Sequence, residues 1–200
     1  MSSETSKNTV KIVDTAMALF QQVGYANVSI REICEKAGVP RSSFYTVFSG
    51  KADILAYRLR RVKQDFEKSL PNFIREPNDF ERIWFLTDAF LKEAENIGPE
   101  LTKAIFLIEL EQSRGLFDLL TAFNEWLVQL LANCQSAGIV KNAGKPEEVI
   151  PVQLNLAIAV LFDWTRKGGS FPLRETVRNM IETFLDVRPE YRWSNKRPKA

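Results

Sequence analysis

The chain contains no histidine among its 200 residues. Histidine is the usual base beside a serine or cysteine nucleophile and a common nitrogen ligand of zinc. Its absence excludes Ser-His-Asp and Cys-His catalysis and every histidine-bound metal site. The sequence also shows no clustered carboxylate pair and no metal-binding motif, so it offers no catalytic set and no cofactor is expected.

Cysteine is scarce as well, since Cys34 and Cys134 are the only two. Both fall within predicted helices among apolar neighbours. This pattern is typical of buried, reduced thiols and argues against a disulfide or a metal pair. Reduced thiols weakly favour a reducing compartment.

Long apolar runs are missing. The first ten residues, MSSETSKNTV, contain no apolar h-region, so no secretion signal is predicted. The longest apolar run, Leu154 to Phe162, has nine residues and includes Asn155. A helix needs about 20 apolar residues to span a bilayer. We therefore expect a cytoplasmic protein with no membrane partner.

The chain has the composition of an ordinary globular protein, with 45% apolar and 26% charged residues. Its charge is uneven. Residues 1–68 hold 11 Lys and Arg against 7 Asp and Glu, residues 69–187 hold 11 against 17, and residues 188–200 hold 5 against 1. This pattern suggests a front that faces a polyanion and a body with another role. The basic run Arg58, Arg60, Arg61 and Lys63 is more typical of a solvated helix face than of DNA contacts.

Hydrophobic periodicity predicts helices almost throughout and no convincing strand. We predict an all-α fold with about nine helices. Their expected limits are 7–23, 29–37, 41–48, 51–69, 78–96, 100–113, 116–137, 147–167 and 172–187.

The second and third predicted helices form a helix-turn-helix pair. Ser29 to Glu32 reads as a capping box that opens the second helix. The turn Gly38-Val39-Pro40 then leads into a short third helix. In a helix-turn-helix the second helix of the pair, here the third helix of the chain, lies in the DNA major groove and presents its first residues to the base edges.

The short helix has an apolar side and a polar side. Phe44, Val47 and Phe48 share one stripe and are expected to face inward. The opposite side carries Arg41, which can bind guanine O6 and N7, and Tyr45, which can bind phosphate. Ser42 and Ser43 can donate to bases or phosphates. Lys51 begins the next helix, where its charge and the free amides favour a phosphate.

These residues carry a family resemblance. The segment from Ile12 to Leu55 resembles the DNA-binding head of the TetR family of bacterial regulators, with Gly24-Tyr25, Ser29 to Ile33, Ala37 to Val39, Phe44-Tyr45, Phe48 and Lys51 as matching signals. The resemblance implies that Ser29 and Arg31 contact the DNA backbone. It also implies that Lys51 binds phosphate and that the recognition helix reads DNA through Pro40, Arg41, Ser42, Ser43, Tyr45 and Thr46. The chain departs from the family pattern at Pro40, Ser42 and Thr46-Val47.

The resemblance further implies a ligand cavity in the body, although aromatic residues there also suit a packed core. The candidates for the cavity are Phe85, Phe106, Glu109, Phe123, Trp126 and Asp163. The two last helices are very apolar and, in this family, pair two subunits. The candidates for that interface are Leu154, Ile158, Leu161, Val177, Met180, Ile181 and Phe184. A two-fold dimer would place its recognition helices about 34–36 Å apart on a palindrome.

We therefore expect a DNA-binding domain at 1–50 (the head), a ligand-binding and dimerisation domain at 51–187 (the body) and a basic tail at 188–200. The favoured function is a homodimeric repressor that binds a palindromic double-stranded operator and is released by a small-molecule effector. One alternative is a helical small-molecule-binding protein without specific DNA binding, which Pro40 and Thr46-Val47 support. An all-α enzyme is a third hypothesis, for which no catalytic set is visible.

Overall fold

The computed structural model of the chain describes residues 3–113 and 123–193. Its α-helices within these ranges are α1 Ser3–Val23, α2 Ile30–Ala37, α3 Arg41–Tyr45, α4 Lys51–Arg75, α5 Asp79–Gln112, α6 Asn124–Ser136, α7 Pro146–Arg166 and α8 Leu173–Phe184. A 3-10 turn at Pro189–Tyr191 follows, and the described residues form one isolated β-bridge, Val140 to Val187. The all-α prediction is confirmed. The first part of the predicted 116–137 helix and residues 194–200 of the basic tail lie outside the described residues.

Proline and glycine act differently in the two longest helices. The prediction that α4 ends before Pro71 is wrong, because the helix continues to Arg75. Its last turns are held by Leu70 and Phe73, which pack against the core of the body. The predicted break at Gly98-Pro99 is confirmed as a kink within α5, where Gly98 has φ 82° and ψ 168°. That positive φ is readily adopted only by glycine.

Two apolar cores lie on either side of this kink. The first half of α5 contributes residues from Phe80 to Ala94 to the core of the body. The second half places Leu101, Ile105 and Ile108 in the core of the head. That core also includes side chains from the first turns of α4. At the kink, Gln21 of α1 donates to the carbonyl oxygen of Asn96 at 3.1 Å. Helix α5 is therefore shared by both cores.

An ion pair fastens α4 to the first half of α5. Arg58 donates to both carboxylate oxygens of Glu93, at 2.7 and 3.0 Å. The Glu93 side chain is only 8% exposed. The expectation that Arg58 belongs to a solvated face is corrected, since a buried carboxylate needs a partner and Arg58 supplies it.

Helix α7 is long and apolar enough to span a membrane if length and composition alone are considered. Core helices of soluble proteins meet the same criterion. In this structure α7 packs against α5, α6 and α8, and it buries Val149, Ile150, Leu154, Ala157 and Leu161 in the core of the body. It is therefore the central helix of the body.

The body also buries a charged network around Arg178. The guanidinium donates to Glu81 at 2.8 and 3.0 Å and to Glu182 at 2.7 Å. It lies 4.7 Å from the ring centre of Phe80 and 5.1 Å from that of Trp84. The side chain of Arg178 is 2% exposed. Two carboxylates and two aromatic faces thus compensate for the water that Arg178 loses on folding.

We expect Arg178→Ala to lower the free energy of unfolding by about 3–5 kcal/mol, because it leaves Glu81 and Glu182 buried without their cation. Urea unfolding followed by circular dichroism would measure the loss. Arg166→Ala is the matched control, since it breaks the exposed pair between Arg166 and Asp163 and should leave the urea midpoint unchanged. Equal effects of the two changes would contradict the structural role of the network.

Candidate nucleic-acid interface and body cavities

The start of α2 is fixed by the predicted capping box, which is confirmed. The backbone N–H of Glu32 donates to Ser29 Oγ at 3.2 Å, and the backbone N–H of Ser29 donates to Glu32 Oε2 at 2.8 Å. The Ser29 hydroxyl also donates to Glu32 Oε2 at 2.8 Å. These reciprocal bonds satisfy amides that the first turn of a helix leaves without partners.

The turn between α2 and α3 is set by Gly38, whose φ of 65° lies in the left-handed region. After it, the backbone N–H of Val39 donates to Cys34 O at 3.1 Å. Pro40 then has extended geometry, φ −60° and ψ 146°, and gives α3 no side-chain cap. Both cysteines are buried and free, as predicted.

Helix α3 is braced from below by aromatic side chains. Phe44 is fully buried and Phe48 is 3% exposed. The Phe48 ring meets that of Tyr57 edge to face at 5.8 Å, which ties α3 to α4. The helix ends at Tyr45 and is shorter than the predicted 41–48, although Phe48 N still donates to Phe44 O at 2.9 Å.

The other side of α3 faces the surface. Arg41, Ser42, Tyr45 and Thr46 are exposed, and Tyr45 retains 53% of its accessible area. Ser43 is half-buried. The Thr46 hydroxyl donates to Ser42 O at 2.9 Å, so its oxygen remains an acceptor only. The buried rings of Phe44 and Phe48 therefore fix α3 so that its polar side faces the solvent.

The remaining predicted DNA contacts also lie at the surface. Ser29, Arg31 and Pro40 are exposed. Arg31 Nε donates to Glu35 Oε1 at 2.7 Å along α2, and both side chains are well exposed. Such a pair between exposed side chains is weak and can yield to a phosphate.

Lys51 makes contacts that the sequence did not reveal. Its Nζ donates to the carbonyl oxygens of Tyr25 and Val28 at 2.7 and 2.6 Å and lies 4.6 Å from the ring centre of Tyr25. Partial burial lowers its pKa, and the Glu32 carboxylate opposes that shift. An ammonium group has three N–H donors. Two of them hold the loop between α1 and α2, which leaves one donor for a further acceptor.

Three of the six predicted ligand-binding residues form a series of ring contacts that includes Phe73 of α4. Its ring centre lies 6.0 Å from that of Phe85 and 5.9 Å from that of Trp126, and Trp126 lies 6.1 Å from Phe123.

The other three predicted residues are Phe106, Glu109 and Asp163. Phe106 meets Phe162 at 5.6 Å, and Glu109 is half-buried on the same half of α5. Asp163 is half-buried, and its carboxylate accepts from Arg166 at 2.6 Å and Lys167 at 2.7 Å. Its place in a cavity wall stays a prediction.

Two cavities adjoin the ion pair between α4 and α5. An open groove of about 460 Å³ runs from Phe85 past Asn72 and Lys92 to Arg58 and Glu93. A second, smaller cavity of about 20 Å³ is lined by Leu59, Phe90, Glu93, Thr102, Ile105 and Leu161. That volume is close to the space that one water molecule needs. Glu93 lines both cavities.

The predicted dimer face needs correction at four positions. Leu154, Leu161, Val177 and Ile181 are between 0 and 5% exposed and belong to the core of the single chain. The helix period places them on the inner face, where a second subunit cannot reach them. Ile158, Met180 and Phe184 are only partly buried. The outer face of α7 instead exposes Val152 at 46% and Phe162 at 52%.

Comparison with known proteins decides the identity of the helix-turn-helix region. Residues 12–57 match the family model of bacterial regulatory proteins, tetR family. The head belongs to the TetR family. No curated protein sequence matches the chain.

Solved structures of transcriptional regulators share the fold of most of the chain. The fatty acid degradation regulator FadR from Bacillus halodurans has a TM-score of 0.67 at 18% identity, over 88% of this chain and 94% of its own. SmeT, repressor of the Stenotrophomonas maltophilia multidrug efflux pump SmeDEF, has a TM-score of 0.67 at 17% identity, over 96% and 97%. FadR from Bacillus subtilis in complex with stearoyl-CoA has a TM-score of 0.64 at 18% identity, over 88% and 97%.

The TetR resemblance inferred from sequence is thus confirmed for the head. Members of this family are transcriptional regulators and not enzymes, and they bind DNA and small molecules.

Sequence reasoning also missed Gln153 of α7, which is fully buried in the body. The signal was present in the sequence. Gln153 follows Val149 and precedes Ala157 by one helical turn each, and both of those residues are buried.

The pKa of Glu32 lies below that of an ordinary glutamate, because the Ser29 backbone N–H and then the Ser29 hydroxyl bind its carboxylate. A depressed pKa means that the box stabilises α2 at pH above the unfolded value of about 4.3 and loses this effect as the pH falls through the folded value. We expect Ser29→Ala to raise the Glu32 pKa part of the way toward its ordinary value, because alanine removes the hydroxyl bond and keeps the backbone N–H bond. NMR titration of the carboxyl carbon would measure this rise. Ser136→Ala, which removes a hydroxyl from α6, should leave the Glu32 titration unchanged, and a Glu32 pKa unaffected by Ser29→Ala would contradict the box.

Proposed function

We propose that the chain is a ligand-responsive transcriptional repressor that binds a palindromic operator as a homodimer and is released by a small-molecule effector. The observation that carries this proposal is the exposed polar edge of α3, held outward by buried Phe44 and Phe48 in a TetR-family head. A surface of this kind suits the major groove, because its polar groups point out while its backbone is rigid.

Within the proposal, α3 reads the bases and the residues around it grip the backbone. Arg41 is fully able to extend, since it is exposed and begins the helix. Tyr45 offers its hydroxyl to a phosphate, and Lys51 offers its remaining N–H donor. Ser29 and Arg31 at the start of α2, with Pro40, Ser42, Ser43 and Thr46, complete the contacts. The head at 1–50 is then the DNA-binding domain of a cytoplasmic regulator.

The homodimer is proposed to form through the outer faces of α7 and α8. Val152 and Phe162 expose apolar surface on α7, while Met180 and Phe184 are only partly covered on α8. A two-fold axis would bring the same patch of each subunit together. The two heads would then face successive major grooves of a palindrome.

The effector is proposed to bind in the body at 51–187. A complex of the Bacillus subtilis neighbour with stearoyl-CoA, which joins a long apolar acyl chain to a charged CoA group, supports this proposal. In the present chain, Phe73 meets Phe85 and Trp126, Trp126 meets Phe123, and Phe85 also lines the groove that includes Arg58 and Glu93. A ligand there would act on α4, which leads directly to the head. The ligand can shift the equilibrium between two positions of the head only by the difference in its binding free energy to the two states.

Arg41→Ala combined with Tyr45→Phe should weaken binding to a duplex selected from random DNA and reduce discrimination between bases by about 1–3 kcal/mol. Loss of the Arg41 charge should lower the steepness of log affinity against log salt by at most about 0.9, and loss of the uncharged Tyr45 hydroxyl should leave it unchanged. Fluorescence anisotropy with labelled duplex at several salt concentrations measures both. Lys145→Ala, at an exposed lysine before α7, is the charge control. Unchanged affinity in the double variant would refute the assigned contacts, and a wild type without salt-dependent DNA binding would favour the alternative of a helical binding protein.

Val152→Glu should shift the protein from dimer to monomer, because a two-fold interface would bury two unpaired carboxylates. Sedimentation velocity measures the change. Ile74→Glu is the matched control, since Ile74 is an exposed apolar residue on α4, 67% accessible and outside the proposed interface. A wild-type monomer, or a dimer that tolerates Val152→Glu, would argue against this face.

A further inference from the structure

Gln153 is an exception among the buried polar residues of the chain. The described residues include eight buried polar or charged side chains. The four threonines, Thr9, Thr87, Thr102 and Thr165, donate their hydroxyls to carbonyls of their own helices. Glu93 is paired with Arg58, and Glu182 with Arg178. Gln153 alone has no partner, for either its amide nitrogen or its amide oxygen.

Because Gln153 is buried among apolar side chains, its unpaired amide lowers the stability of the fold. The side chain is 0% exposed and belongs to α7, whose other buried residues are almost all apolar. A primary amide carries two N–H donors and an oxygen with two acceptor sites. Leaving these groups dry and unpaired destabilises the fold, and a methionine of similar shape would avoid the penalty. An unsatisfied polar group in a native core calls for a missing partner.

A second unpaired group lies on the neighbouring helix. Asn124, the first residue of α6, has a buried Oδ1 with no hydrogen-bond partner. Helices α6 and α7 pack against each other. The body thus holds an unpaired acceptor on α6, Asn124 Oδ1, and an unpaired donor and acceptor on α7, Gln153 Nε2 and Oε1. The buried charges of the body are already neutralised within the chain, by the pairs of Glu93 and Arg178.

We propose that Gln153 is the polar anchor of the effector site, and that the effector is an uncharged, mostly apolar molecule whose polar group both donates and accepts hydrogen bonds, such as a primary amide. This inference rests on the proposed function and specifies its ligand. A neutral amide pairs with Gln153 on both sides. A carboxylate or an ammonium would enter a core with no unpaired countercharge among the described buried residues, which disfavours both.

The first test needs no ligand. Gln153→Met removes the unpaired amide and keeps the length of the side chain, so Tm should rise by roughly 2–10 °C. Gln22→Met makes the same chemical change at an exposed position of α1 and should leave Tm nearly unchanged. A Gln153→Met variant that is no more stable than wild type would show that a partner already satisfies the amide, and would overturn the proposal.

The second test uses three probes that share an eight-carbon body: octanamide, octanoate and octylamine. Calorimetric titration of the wild-type protein should give about tenfold tighter binding of octanamide than of either charged probe. Gln153→Met should abolish this preference, and Gln22→Met should retain it. Equal binding of the three probes, or an octanamide preference that survives in Gln153→Met, would each refute the anchor. Neither test involves DNA, so their failure would leave the DNA-binding proposal to its own experiment.

Discussion

The arrangement of this molecule depends on one helix that belongs to two cores. The first half of α5 packs in the body, and the second half supplies Leu101, Ile105 and Ile108 to the head. Burying each of these side chains contributes about 1.5–3 kcal/mol, so the head is held to the body by several kcal/mol of apolar packing. The head is therefore positioned by α5 as well as by its covalent link through α4.

The kink at Gly98 gives this attachment a defined pivot. Gly98 leaves the helical conformation, and Pro99 cannot donate a backbone hydrogen bond, so the two halves of α5 are not one rigid rod. On the body side of the pivot, Arg58 and Glu93 bind α4 to the first half of α5. The same half of α5 also meets the head, because Gln21 of α1 donates to the carbonyl oxygen of Asn96. Both of these polar contacts lie before Gly98, whereas Leu101, Ile105 and Ile108 pack in the head after it. The kink therefore separates the polar attachment of α5 from its apolar packing in the head.

Features that depend on short stretches of chain were predictable from the sequence. The capping box at Ser29 and Glu32, the turn at Gly38 and the kink at Gly98 each follow from residues within a few positions of one another. Contacts between distant segments were not predictable. Lys51 binds carbonyls 23 and 26 residues away, and Pro71 stays within α4 because the body holds the last turns of that helix. The faces of α7 and α8 were assigned wrongly at Leu154, Leu161, Val177 and Ile181, because a strongly apolar helix does not reveal from its sequence which side meets its own core.

Arg178 and Gln153 are both buried polar residues of the body, but only Arg178 has partners within the chain. Arg178 is among the most demanding groups to bury, and the chain meets that demand with two carboxylates and two aromatic rings. The fold can therefore satisfy a buried polar group when that group serves the structure. The uncharged amide of Gln153 costs less to bury than a guanidinium, yet none of the described residues forms a hydrogen bond with it. Natural proteins depart from such local rules mainly at functional sites. The unpaired amide of Gln153 is thus better explained by a molecule that binds the folded protein than by a requirement of folding.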